Sequence, residues 1–218
     1  MPTIPLIISF LVALFLVAMI QIRIFEIAFA KLGLTPEISL LLLIGTLFGS
    51  GINLPLFSLR AKKAGQMVMS WDKKPVWEIF QPAIEGKVVI AVNVGGCIIP
   101  VGLCLYFISL QVIAPEKLLI ALLAVTALSF NLSRIIPGFG VGMPIFVAPF
   151  ASALIALILD PAHAAHLAYI SGVLGVLIGA DILRLKNIID LGAPVAVIGG
   201  AGTFDGIFLT GIIAALLA

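Results

Sequence analysis

From Val88 to Leu110 no residue carries a formal charge, and the same holds from Ile135 to Leu159 and from Gly206 to Ala218. Apolar runs of this kind constrain a fold more than any single motif, because a helix of about 20 such residues is what crosses the hydrocarbon of a bilayer. The chain as a whole is 62% hydrophobic and only 10% charged. Soluble domains are nearer half apolar and a quarter charged, so these figures select an all-α polytopic membrane protein whose solvent is the lipid bilayer. A net charge of +2 gives nucleic acid no electrostatic footing.

Seven apolar segments can be laid out along a single integral membrane domain, residues 1–218. The first is Ile4 to Ile22. It lacks a basic leader and a small-residue cleavage site, so it reads as a helix rather than a signal peptide. An amphipathic piece from Arg23 to Leu34 leads to a second span, Pro36 to Leu59. The third is Val88 to Leu110 and the fourth Lys117 to Phe130. Gly138 to Pro144 breaks the chain before a fifth span that ends near Leu159. The sixth runs from His163 to Leu183, and the seventh ends at Ala218.

Basic residues orient this layout. With the N-terminus cytoplasmic, the inner connections hold Arg60, Lys62, Lys63, Lys73, Lys74, Lys87, Arg134, Arg184 and Lys186, and the outer ones only Arg23, Lys31 and Lys117. Positive charge accumulates on the cytoplasmic side, so the C-terminus is expected outside a prokaryotic cell membrane. The insert at residues 60–87 is the one sizeable aqueous segment. Two β-prone runs flank Asp72-Lys-Lys-Pro75 within it, which predicts a cytoplasmic β-hairpin. Trp71 and Trp77 suit the membrane interface, and the hairpin edge could instead pair with a peptide strand.

Polar residues inside the apolar segments are few. Asn53 and Asn93 fall near the inner ends of spans two and three, beside glycines, and Arg134 at the inner end of span four. Each reads either as interhelical glue or as the lining of a pocket on the cytoplasmic side. Cys97 and Cys104 lie seven apart in one apolar run and read as packing residues. His163 and His166 read as interfacial rather than as metal ligands. No metal and no cofactor is expected.

Two aspartates stand out, because charge at membrane depth is costly and by default functional. Asp181 lies 15 residues beyond His166, about 22 Å along a helix, and Asp205 lies 13 residues before the C-terminus, about 20 Å. In a core about 30 Å thick, consecutive antiparallel spans then carry both carboxyls to one level. Pro194 to Ile198 is β-prone and Gly199-Gly-Ala-Gly202 is a poor helix, so the last helix should start with Thr203 as its N-cap and hold Asp205 in its first turn. Non-helical backbone at that depth requires protein or a wet cavity around it. Paired carboxylates in such a cavity share a proton, as in aspartic proteases. The plainer alternative is that Asp181 marks a helix end near Arg184 and Asp205 interacts with its own helix dipole.

Gly199 to Gly211, with Gly179-Ala-Asp181, resembles an uncharacterised prokaryotic multi-pass membrane family, a domain of unknown function. More distantly, the layout resembles the GxGD intramembrane aspartyl proteases, the presenilin and signal-peptide-peptidase group. That resemblance implies Asp181 and Asp205 as catalytic aspartates, Pro194 to Ile198 as a short preceding strand, and a membrane-protein or peptide substrate. The sequence departs from the group in reading Gly202-Thr-Phe-Asp205 rather than Gly-x-Gly-Asp. It also lacks a tyrosine before Asp181 and a Pro-Ala-Leu motif.

The expectation is therefore a hydrolase with Asp181 and Asp205 as its catalytic pair and Asn53, Asn93, Arg134, Gly202 and Thr203 lining or supporting the pocket. The rival classes are a cation- or proton-coupled transporter, which also uses broken helices around carboxylates, and a non-catalytic membrane scaffold.

Overall fold

The computed structural model of the chain describes residues 4–60, 87–136, 140–188 and 195–218. Most of these residues are helical, and a small sheet joins three of the helices at their ends. The expected hairpin between residues 61 and 86 lies outside the described residues.

At the centre is α6 (Ala164–Val176), buried on nearly every face against α3 (Ile99–Ser109), α4 (Pro115–Leu132), α5 (Val147–Leu159) and α8 (Gly206–Leu217). An apolar helix with no polar stripe can only be an interior helix. Its approach to α4 is close because a side chain at Gly175 would collide with Val125 Cγ1 at 2.7 Å. Small residues at such crossings let backbones meet. The long α1 (Ile4–Lys31) packs on α8 through Phe25 and Phe208, whose rings are 5.6 Å apart.

The core of this bundle is mainly apolar, and much of its outside is apolar as well. Phe10, Phe15, Leu41, Phe48, Phe150 and Leu154 are more than half exposed, whereas Ser39, Thr46, Ser152, Ser171 and Thr210 are buried. The buried serines return their hydroxyls to carbonyls one turn back, as Ser152 does to Ala148 at 2.6 Å and Ser171 to Leu167 at 2.7 Å. A buried hydroxyl costs free energy unless it is paired, and the helix itself supplies the acceptor.

The helices are shorter than seven full spans require. Pro115–Leu132 and Pro161–Asn187 are long and apolar enough to cross a membrane, while Pro36–Gly49, Val94–Ser109, Val147–Leu159 and Gly206–Leu217 are apolar but have only 10–17 residues. Span two ends early because α2 (Pro36–Gly49) runs into Ser50-Gly51 and then Pro55, which cannot continue a helix. The chain continues instead as β1 (Asn53–Arg60). Span three begins as β2 (Lys87–Asn93), where the β-branched run Val88-Val-Ile-Ala-Val92 prefers extended backbone. Span seven divides into β5 (Val195–Ile198), a glycine-rich turn and α8. The seven-helix count is corrected accordingly, although the strand and break expected before the last helix are present.

β1 pairs antiparallel with β2, and β2 pairs parallel with β5 through Val89↔Val195 to Val92↔Ile198. β1 is the outer strand, which accommodates Pro55 next to its register shift. A second ladder joins β3 (Arg134–Ile136) to β4 (Gly140–Gly142). The four-residue α7 (Leu185–Ile188) follows α6.

Candidate functional site

Three chain breaks meet at the end of the bundle that carries the sheet. The first is the end of α2 at Ser50. The second is a wide π-helical turn, Val94–Ile98, between β2 and α3. The third is the turn Gly199–Phe204 before α8. Opposite them α6 also widens into a π-helical segment, Leu177–Ile182. Insertions of this kind in otherwise regular helices are rare and occur frequently at functional sites.

Asp181 lies in the widened segment of α6 and is half-buried. Among the described residues nothing donates a hydrogen bond to its carboxyl. Arg184, three residues on, is committed elsewhere. Its Nη2 donates to Phe130 O at 2.6 Å and Ser133 O at 3.1 Å, its Nε donates to Ser133 Oγ at 3.1 Å, and its guanidinium lies 4.2 Å from the centre of the Phe130 ring. These contacts cap the last carbonyls of α4. They leave Asp181 without the cation that the simple helix-end reading assigns to it.

Asp205 is also half-buried, and it caps α8 itself: Oδ1 accepts from Ile207 N at 2.9 Å and Oδ2 from Ala201 N at 3.4 Å. This corrects the expected cap. Thr203 instead sits buried in the short turn Gly202–Phe204, and its backbone N–H donates to Ser50 Oγ at 3.0 Å. Asp205 takes the cap because its backbone is extended, with ψ of 149°, and a short carboxylate there reaches the second amide of the helix.

α6 and α8 are packed together, with Asp181 in the widened continuation of α6 and Asp205 at the start of α8. Cys97 follows Gly95-Gly96 in the π-helical turn and is buried. Gly96 is required there, since a Cβ would fall 2.2 Å from Gly199 O. Gly202 is required twice over: its φ is +61°, and a Cβ would lie 2.4 Å from Ser50 Oγ.

Asn53 and Asn93 also come together. The fully buried Asn93 donates through Nδ2 to Asn53 Oδ1 and to Ser50 O, both at 2.8 Å, and accepts from Gly96 N at 2.8 Å. Its amide thus caps the π-helical turn while joining β1 to the end of α2. Arg134 stands apart: it is exposed at the start of β3 and, among the described residues, has no hydrogen-bond or ion-pair partner. Sequence reasoning missed Ser50 and the true role of Arg184, whereas Cys97, read as a packing residue, is buried in the apolar core. Ser50 lies between Gly49 and Gly51, and two glycines around a hydroxyl are a local signal of a close backbone approach.

The other polar cluster is remote from this site. Asp160, buried at the turn between α5 and α6, is 3.5 Å from Lys117 Nζ and 3.4 Å from His163 Nδ1. His166 packs edge-on against Phe107 with centroids 4.9 Å apart. Among the described residues no group of three His, Cys, Asp or Glu side chains is placed to hold a metal ion.

Residues 47–217 match the family model described as "Protein of unknown function (DUF1614)". That range begins near the end of α2 and includes Ser50, Asn93, Cys97, Asp181 and Asp205. No curated protein and no solved structure matches the chain. The match covers most of the chain, and the protein belongs to the DUF1614 family.

Proposed function

We propose that this DUF1614 protein is an integral membrane hydrolase of the aspartyl type, with Asp181 and Asp205 as a dyad that shares one proton. The observation that carries this reading is the presence of two half-buried carboxylates at irregular helix segments, with no cation paired to either among the described residues. Unmatched like charges in an apolar protein lower its stability, and sites that retain them are by default functional.

The membrane setting is supported by the exposed apolar side chains and by the two helices of spanning length. Shorter helices that end in strands and turns must either bury that backbone in protein or line a wet cavity with it, and a hydrolytic site takes the second. Arg60 and Lys87 close the β1–β2 ladder at the end opposite Asn53 and Asn93, and Arg184 and Lys186 follow Asp181. Positive charge on this side makes it the cytoplasmic one.

In such a cavity, Asp205 is the member held in orientation, because both its oxygens accept backbone N–H groups. Hydrogen bonds of that kind favour a carboxylate. It takes a proton from water as the water oxygen adds to a substrate carbonyl. Asp181, free of such donors, carries the shared proton and hydrogen-bonds the carbonyl oxygen. Collapse of the tetrahedral species then breaks the C–N bond, with proton return to the leaving amine. A peptide in or near the bilayer is the substrate class that reaches this site.

The meeting of broken helices favours one other reading, coupled transport of a cation or proton. Purified protein in liposomes with a single-helix reporter separates the two. Cleavage that disappears in both Asp181→Asn and Asp205→Asn supports the hydrolase. Cation or proton flux that disappears in both, with no cleavage in the unaltered protein, replaces it with the transporter.

A further inference from the structure

Among the described residues, one hydrogen bond ties the turn that carries Asp205 to an element distant in sequence: Thr203 N donates to Ser50 Oγ at 3.0 Å, across 153 positions. The remaining bonds of that turn lie within it or lead into the adjoining α8: Gly202 N to Gly199 O, Asp205 N to Gly202 O, Leu209 N to Asp205 O, and the two that end on the Asp205 carboxyl. Ser50 therefore holds a position that no local interaction duplicates.

Ser50 is itself tightly fixed. As the C-cap of α2 it donates from Oγ to Thr46 O at 2.6 Å, and its carbonyl accepts from the buried Asn93 at 2.8 Å. Glycines enclose it on two sides. A Cβ at Gly95 would lie 2.7 Å from Ser50 Oγ, and one at Gly202 would lie 2.4 Å from it. One hydroxyl thus spans α2 and the Asp205 turn, donating to the first and accepting from the second. A serine oxygen has both capacities, and alanine has neither.

We propose that Ser50 is the positioning residue of Asp205: its hydroxyl fixes the height of the 202–205 turn against α2 and so sets how the Asp205 carboxyl faces Asp181. The proposal rests on the pair acting together, and it assigns Ser50 no contact with substrate. Its consequence is specific. Loss of the hydroxyl lets the turn shift while both carboxyls remain, so the sharing of the proton changes before the fold does.

The experiment uses the full-length protein in liposomes and a hydrophobic carbodiimide, which couples to protonated carboxyls. Mass spectrometry reads the label on Asp181 and Asp205 across a pH series, and reporter cleavage is followed in parallel. In the unaltered protein the label is expected mainly on Asp181. Ser50→Ala should move a substantial share of it to Asp205, displace the pH profile of cleavage and lower kcat by about a hundredfold with little change in KM, the scale of a 1 Å misplacement. Ser50→Gly removes the same hydroxyl at a helix end that tolerates glycine and should do the same, which covers failure of the alanine variant to fold. An unchanged label distribution and pH profile in a folded variant overturns the proposal, even if thermal stability falls. A label that moves in a protein that cleaves no reporter keeps Ser50 as the positioning residue and removes the hydrolase.

Discussion

The two polar ends of the bundle treat buried carboxylates in opposite ways. Asp160 is only 6% exposed, yet two basic groups, Lys117 and His163, stand within 3.5 Å of it. Its charge ties the start of α4 to the turn between α5 and α6, and a structural role accounts for it. Asp181 and Asp205 are half-buried and are paired with no cation among the described residues. Arg184 is near enough in sequence to serve and turns instead to the carbonyls of α4. On the proposed reading, the absence of a matching charge, rather than burial, is what separates Asp181 and Asp205 from Asp160.

The sharpest way to break this contrast is to neutralise each acid in turn. Asp181→Asn and Asp205→Asn should each lower reporter cleavage by at least about a thousandfold, the scale seen when a member of a catalytic set is removed. Their thermal stability in detergent should be unchanged or higher, since a repulsion is relieved. A clear loss of stability with cleavage retained would put these residues in the same class as Asp160.

Gly202→Ala should come next in effect. It combines an unfavourable φ with a collision against Ser50, costing about 1–3 kcal/mol by the measure of overpacked sites. Denaturation in a mild detergent reads the loss. Arg184→Gln should cost about 1–2 kcal/mol through its hydrogen bonds to α4. The pH profile of cleavage should stay where it was. A displaced profile would mean that Arg184 acts as a counter-charge to Asp181 after all.

Asp160→Asn should have the smallest effect. Lys117 and His163 are partly solvated, so this pair lies between an exposed and a buried ion pair, and about 1 kcal/mol is expected with cleavage unaltered.

The strand and the break before the last helix were legible from residue positions, announced by the β-prone run to Ile198 and the glycines after it. The common level of Asp181 and Asp205 remains an expectation from counting along two antiparallel spans. The seven-span layout failed at particular places. Val88 to Val92 and Leu54 to Leu59 are apolar runs that suit a strand as well as part of a helix, and periodicity cannot separate the two at that length. Asp205 displaced Thr203 as the cap because the turn consumed two more residues than a plain helix start. The contact between Ser50 and Thr203 had no local signature of its own, since nothing in sequence links positions 50 and 203. Arg134 illustrates the converse: a basic residue at a span end looked like pocket lining, and the strand it begins carries it to the surface.

The pairing of Asp181 with Asp205 is tested most directly by infrared titration of their protonated carboxyl bands in the purified protein, with Asp181→Asn and Asp205→Asn as references. A coupled pair should lose its protons in two separated steps with a plateau at one proton per chain, and either substitution should collapse this to a single step. Two independent, overlapping titrations, each unaffected by loss of the other aspartate, would contradict a shared site.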